Sequence, residues 1–93
     1  MIPRAIAETK RKESWNEQFL TVLHDQLRLL EPELDVSDVT LGSEIASLDV
    51  DSLSILAALA AIEDRYGVRI PDGDLAALGT VADLAEAIMV RMR

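Results

Sequence analysis

The chain has 93 residues, 49% of them hydrophobic and 28% charged, so it can form one small folded domain and is not disordered by composition. A formal net charge of −8 excludes nucleic acid and anionic membranes as natural partners and favours proteins with basic docking patches. The lack of cysteine excludes disulfides and thiolate metal sites. The sequence also has no apolar run long enough to cross a membrane and no signal peptide, so we expect a cytoplasmic protein. Scarce Gly and Pro with abundant Ala and Leu favour helices.

The chain is predicted to begin with a short basic extension that is followed by the first helix. Residues 1–12 mix a proline with a basic cluster and show no clear apolar period, which predicts a flexible extension or loose first turn before a folded domain over 13–93. The first helix is predicted to start near Ser14, since Ser14-x-x-Glu17 has the form of a capping box, and to end before Pro32. Apolar residues recur at helical spacing between these points: Trp15, Phe19, Val22, Leu23, Leu27 and Leu30. We interpret His24, which has no candidate ligands nearby in sequence, as a surface histidine.

Residues 31–50 are predicted to form a long connection pinned onto the helices, with a short helical turn around residues 43–48. The motif Asp49-x-Asp51 looks like a fragment of a calcium loop, but the later ligands and the glycine of such a loop are missing. We therefore predict no metal site. The pinning residues are scattered and apolar: Leu34, Val36, Val39, Leu41, Ile45 and Leu48.

The central helix is predicted over residues 53–66 and ends at Gly67. Asp51 or Ser52 stands at its N-cap, where a short side-chain oxygen can accept a free backbone N–H. The Ser52 hydroxyl is thus placed at the positive end of a helix dipole, where anions and phosphates are favoured. On this evidence Ser52 is either a plain cap or a place where a phosphate becomes attached.

Two faces are predicted on this helix. One faces the core and consists of Ile55, Leu59, Ile62 and Tyr66. The adjoining face is apolar at its start and acidic at its end, with Leu53, Leu56, Ala57, Ala60, Glu63 and Asp64. This second face is either the edge of a broad core stripe beside ordinary solvated residues or a docking surface rimmed with carboxylates.

The last third of the chain predicts a short helical turn from Asp72 to Leu78 and a final helix capped by Thr80 and Asp83. Val81, Leu84, Ala85, Ile88 and Met92 share one face of that helix, and Arg91 and Arg93 suit its negative end. The predicted fold is all-α: a small four-helix bundle with a long loop between helices 1 and 2 and a short helix 3. Its predicted core is Trp15, Phe19, Leu23, Ile55, Leu59, Ile62, Val68, Ile70, Leu84 and Ile88.

Three motifs at constant spacing resemble the acyl carrier proteins, the phosphopantetheine-binding carrier family, in their discrete stand-alone form. Asp51-Ser52-Leu53 matches the Asp-Ser-Leu signature of the family. The stretch 62–72, Ile-Glu-Asp-Arg-Tyr-Gly-Val-Arg-Ile-Pro-Asp, is similar to the passage from its second helix into its third, and 80–84, Thr-Val-Ala-Asp-Leu, to the start of its fourth. The likeness is ungapped over about residues 44–90, so residues 13–93 are interpreted as an acyl-carrier domain.

The resemblance implies that Ser52 carries 4′-phosphopantetheine, which a phosphopantetheinyl transferase attaches from coenzyme A. The arm would hold acyl or related intermediates as thioesters and present them to partners, which are acyltransferases, ketosynthases or acyl- or aminoacyl-loading enzymes with basic docking patches. The chain shows no pairing of nucleophile and base, so we expect no catalysis by the protein itself. The predicted docking residues lie around the arm site: Asp49, Asp51, Leu53, Leu56, Ala60, Glu63 and Asp64.

Departures from the family pattern bear on the pathway. Asp49 stands where a glycine is usual, and Ser54 and Ala57 replace common acids. These changes favour polyketide or other specialised-metabolite biosynthesis, such as antibiotic biosynthesis, over fatty-acid synthesis, with an aminoacyl or peptidyl carrier as a further alternative. A non-carrier alternative is a helical adaptor that lacks the arm. We expect a monomer.

Overall fold

The computed structural model describes the backbone of residues 4–92 and the side chains of residues 13–92. Four helices are present in this part of the chain: α1 (Arg4–Leu30), α2 (Ser52–Tyr66), α3 (Asp72–Ala76) and α4 (Val81–Arg91). The loop between α1 and α2 contains two 3₁₀ turns, Val36–Asp38 and Ile45–Ser47. The predicted all-α bundle with a long first loop and a short third helix is confirmed. Within the described region, no helix combines the length and apolar character needed to cross a bilayer.

The first helix begins at Arg4, so the predicted start near Ser14 is wrong. Residues 4–13 are mostly Ala, Arg, Lys and Glu, which are strong helix formers, and Ser14 lies inside the helix instead of capping it. The end at Leu30, ahead of Pro32, agrees with the prediction. The predicted extension falls partly on residues 1–3, which lie outside the described residues, and the domain boundary stays a prediction.

The core forms where α1 packs against both α2 and α4. Most of the predicted core residues are buried: Phe19, Leu23, Leu59, Ile62, Ile70, Leu84 and Ile88. Trp15, Ile55 and Val68 are only half-buried, which corrects the prediction for these three. Trp15 lies at the rim because its Nε1–H donates to the Ala85 carbonyl over 2.9 Å, while its ring meets Tyr66 edge-on at a centroid distance of 5.1 Å.

The long loop is attached to the bundle at two places. Near α1, Val36 and Val39 are buried, and the Nε2–H of His24 donates to the Val39 carbonyl over 2.7 Å. His24 is therefore half-buried and bonded to the loop, and its interpretation as a surface residue is wrong. Near α4, Glu44 and Thr80 form an isolated antiparallel bridge. The loop thus holds the start of α2 in a defined position.

The N-terminus of α4 is closed by hydrogen bonds. The predicted capping box is confirmed: Thr80 Oγ1 accepts the Asp83 N–H over 3.2 Å, and the Asp83 carboxylate accepts the Thr80 N–H over 3.0 Å. The N–H groups of Val81 and Ala82 donate to carbonyls of the long loop. At the other end, Met92 follows the helix and is exposed, and the predicted role of Arg93 lies outside the described residues.

The capping box predicts a pH dependence of stability. The backbone N–H groups of Thr80 and Gly79 donate to Asp83 and lower the pKa of its carboxyl below the ordinary value of 3.8. Because the folded pKa is the lower one, this stabilisation is complete above pH 3.8 and is lost as the pH falls through the folded pKa. Asp83→Asn should therefore have a lower denaturation midpoint than wild type at pH 7, and the two midpoints should converge in acid. An equal difference at every pH, measured by urea titration, would contradict this.

Candidate functional site

Ser52 is the first residue of α2, and Asp51 is the residue that caps this helix. The Asp51 carboxylate accepts the Leu53 N–H over 3.1 Å, which decides between the two candidate caps. Ser52 is exposed, and among the described residues its hydroxyl has no hydrogen-bond partner. The hydroxyl is therefore accessible to a modifying enzyme and held on a rigid element.

The N-terminus of α2 is open, in contrast to that of α4. Within the described chain, the backbone N–H groups of Ser52 and Ser54 have no protein acceptor, while the Leu53 N–H is taken by Asp51. Unpaired N–H groups at a helix start favour an anion. A phosphodiester on the Ser52 oxygen would lie beside these N–H donors in the first turn of α2. The residues present therefore fit 4′-phosphopantetheine.

An apolar cavity of about 190 Å³ lies next to this end of α2. Ile55 and Leu56 line it and follow Ser52 by three and four residues, so they lie on the same face of the helix as Ser52. The remaining lining residues come from α1, the loop, later turns of α2, the α3 region and α4: Leu23, Leu27, Ile45, Leu48, Ala58, Leu59, Ile62, Leu75, Leu78, Val81 and Leu84. A group attached to Ser52 would thus have an apolar space beside its point of attachment.

The predicted docking residues are exposed with one exception. Leu53 is 73% exposed, and the other exposed members are Asp49, Asp51, Leu56, Ala60 and Asp64. Glu63 is buried, and its carboxylate accepts the Ile70 N–H over 2.7 Å, so its placement on an exposed docking face is wrong. The reason is the turn after α2: Gly67 adopts φ 67°, which glycine tolerates, and folds the chain back over Glu63.

This buried hydrogen bond predicts a stability effect at Glu63. Glu63→Ala leaves the Ile70 N–H without an acceptor and should lower the free energy of unfolding by about 1–3 kcal/mol. Glu63→Gln keeps an acceptor oxygen at the same place and should retain most of the stability. Chemical denaturation of the two variants, with Asp64→Ala as the exposed control, measures the difference. Equal midpoints for Glu63→Ala and Asp64→Ala would show that the bond does not stabilise the fold.

Two features of the site were missed by sequence reasoning. Leu75 of α3, Leu78 just after it, and Ile45 and Leu48 of the loop line one cavity, which periodicity within a single helix does not reveal. The bond from Ile70 to Glu63 also had no local signal, because the pair is seven residues apart across a turn. In the described part of the chain, His, Asp and Glu side chains form no group of three that could hold a metal ion.

Comparisons with known proteins agree with this geometry. The family described as phosphopantetheine attachment site matches residues 17–88, well over half of the chain. The acyl carrier protein of Rhodococcus erythropolis is 45% identical over 56 residues, which are 59% of this chain and 62% of that protein. The meromycolate extension acyl carrier protein of Mycobacterium tuberculosis is 50% identical over 46 residues, 50% of this chain and 40% of that protein. The acyl carrier protein of Acidothermus cellulolyticus is 49% identical over 41 residues, 44% and 49% of the two chains.

The chain thus spans between 40% and 62% of the length of these curated relatives. The matched residues include the Asp-Ser-Leu motif, the start of α2 and the cavity beside it. The chain belongs to the phosphopantetheine attachment site family, as one of its acyl carrier proteins, which bear a covalent 4′-phosphopantetheine arm and are not enzymes.

Proposed function

We propose that Ser52 is the attachment site of the arm and that the protein carries acyl intermediates between enzymes of a biosynthetic pathway. The observation that carries this proposal is the exposed, unbonded Ser52 hydroxyl at the open N-terminus of α2. The neighbouring apolar cavity supports it. When the arm is attached, its terminal thiol holds the cargo as a thioester.

Attachment is a phosphoryl transfer that the protein does not catalyse itself. The Ser52 oxygen forms a bond to the phosphorus next to the pantetheine of coenzyme A, and the bond from that phosphorus to adenosine 3′,5′-bisphosphate breaks. The leaving bisphosphate takes the electron pair, and a base of the transferase takes the serine proton. This chain contributes an accessible oxygen on a rigid helix and backbone N–H groups that stabilise the resulting phosphodiester.

The cavity favours an apolar acyl chain over an aminoacyl or peptidyl cargo. All its lining side chains are apolar, so a charged amine there would be desolvated without a partner. An apolar cavity of about 150 Å³ accommodates benzene. The cavity of about 190 Å³ therefore suits a short or partly inserted chain.

For the pathway we propose assembly of a polyketide or another specialised acyl product. The replacement of common acids by Ser54 and Ala57 supports this, and relatives named for meromycolate extension support the extension of an acyl chain. Relatives named simply acyl carrier protein favour the alternative, a carrier of fatty-acid synthesis. The partners on this proposal are a phosphopantetheinyl transferase and acyl-transferring or condensing enzymes.

Intact-mass spectrometry tests the carrier function. Co-expression with a phosphopantetheinyl transferase should add one arm to each wild-type chain, and protein isolated from its native host should carry the arm plus its cargo. A chain that gains no mass beside an active transferase would be an armless adaptor, and the proposal would then be wrong.

We propose that partner enzymes dock on exposed residues next to Ser52, both in α2 and in the segment just before it: Asp49, Asp51, Leu53, Leu56, Ala60 and Asp64. Carboxylates at the rim of an interface act mainly on the encounter rate. Asp64→Lys should therefore slow acyl loading by a partner at low salt, and the difference should shrink at high salt because the charges are screened. Glu17→Lys, on an exposed part of α1, is the matched control. Equal loading rates for the two variants at low salt would place the docking face elsewhere.

A further inference from the structure

Two leucines at the C-terminal end of α1 are unusually exposed. Leu29 is 75% exposed, more than any other large apolar side chain in the described region, and the adjacent Leu30 is 40% exposed. Single exposed leucines are ordinary, but two together beside a groove form an apolar patch. At this end of α1 the side chain that packs into the core is Leu27, which is fully buried, so Leu29 and Leu30 are not part of the core.

Leu30 lies at the same end of the molecule as Ser52, and Leu29 directly precedes it in the chain. An open groove of about 500 Å³ is lined by Leu30, Glu31, Pro32, Glu33, Leu34 and Asp49. Asp49 precedes Ser52 by three residues, so their Cα atoms are at most about 11 Å apart. A protein surface that reaches the Ser52 oxygen would therefore also lie close to this groove.

The charge around the patch has one sign. Residues 29–64 contain nine carboxylates and no Lys, Arg or His. Glu63 is buried, and the other eight are exposed or half-buried, among them three that line the groove: Glu31, Glu33 and Asp49. An apolar patch with such a rim is complementary to an apolar surface flanked by lysine or arginine.

We propose that Leu29, Leu30 and the groove form a second docking surface, which lies outside α2 and shares Asp49 with the first, for the phosphopantetheinyl transferase. This rests on the proposed function, and the transferase is favoured by where the chemistry occurs. It must bring coenzyme A to the Ser52 oxygen itself, so its surface has to cover the protein around Ser52. Enzymes that act on the cargo also dock on α2, but they work at the far end of the arm, so their docking does not require contact with Leu29 or Leu30.

The test is the rate at which a purified transferase modifies the arm-free protein with coenzyme A, followed by intact mass. Leu29→Ser and Leu30→Ser should each lower kcat/KM, and the double variant should lower it about five- to tenfold, as for a partly buried apolar contact. Val90→Ser and Met92→Ser are the controls, because these side chains are 51% and 44% exposed at the end of α4. The control rates should equal the wild-type rate.

Acyl loading by a partner enzyme separates the two docking surfaces. Variants brought to full arm occupancy by long incubation should load cargo at the wild-type rate. Folded Leu29→Ser that is modified as fast as wild type would refute this surface. So would α4 controls whose kcat/KM for modification falls as much as that of the leucine variants. A fall in the rate of acyl loading without a fall in the rate of modification would also refute it. Leu29→Ser decides alone should Leu30→Ser fail to fold. Wild-type protein that accepts no arm would overturn the proposed function itself, and this surface with it.

Discussion

Ser52→Ala should abolish attachment of the arm completely and leave the fold intact. The loss is complete because Ser54, the other hydroxyl in the first turn of α2, is half-buried, whereas Ser52 is exposed and stands at the serine of the Asp-Ser-Leu motif. The fold should persist because Asp51, not Ser52, accepts the N–H that caps the helix. Alanine is also the best helix former, so the first turn of α2 should be retained.

Co-expression with a transferase followed by intact-mass measurement tests whether the arm is attached, and a thermal melt tests whether the fold is retained. Ser54→Ala is the matched control, since it removes a neighbouring hydroxyl and should gain the arm as wild type does. A mass gain on Ser52→Ala would assign the attachment to another residue. A melting temperature well below that of Ser54→Ala would mean that Ser52 has a structural role that the hydrogen bonds do not show.

Phe19→Ala should have the largest effect on stability. Phe19 is fully buried in the core formed by α1, α2 and α4, and its ring centroid lies 5.9 Å from that of Trp15. Truncation of a buried phenylalanine costs about 3–5 kcal/mol through lost transfer energy and the cavity that remains. Small domains have a total stability of about 5–15 kcal/mol, so this variant should be partly unfolded or close to it.

Urea denaturation followed by circular dichroism measures this loss, with Leu53→Ala as the control. Leu53 is also a large apolar side chain but is exposed, so its truncation should change the free energy of unfolding by no more than about 0.5 kcal/mol. Leu59→Ala, which removes a buried side chain at the cavity wall, should cost about 2–5 kcal/mol. Similar midpoints for Phe19→Ala and Leu53→Ala would show that the face assignment of α1 is wrong.

Local signals in the sequence determined most element boundaries and the residue at the candidate site. Pro32 and Gly67 end α1 and α2 as predicted, and Thr80 with Asp83 caps α4, because each effect depends only on backbone geometry within one turn. The placement of Ser52 at the start of α2 has the same origin. The start of α1 was misjudged because a local capping pattern at Ser14 competes with the helix propensity of the residues before it.

Tertiary packing decided what surrounds that residue. Glu63 looks like a surface acid by its spacing, yet the turn at Gly67 brings the Ile70 N–H onto its carboxylate and buries it. His24 bonds to a loop carbonyl fifteen residues away, and the cavity beside Ser52 takes its walls from all four helices and the loop. Each of these depends on contacts between segments distant in sequence, and helical periodicity contains no information about which face of one segment meets another.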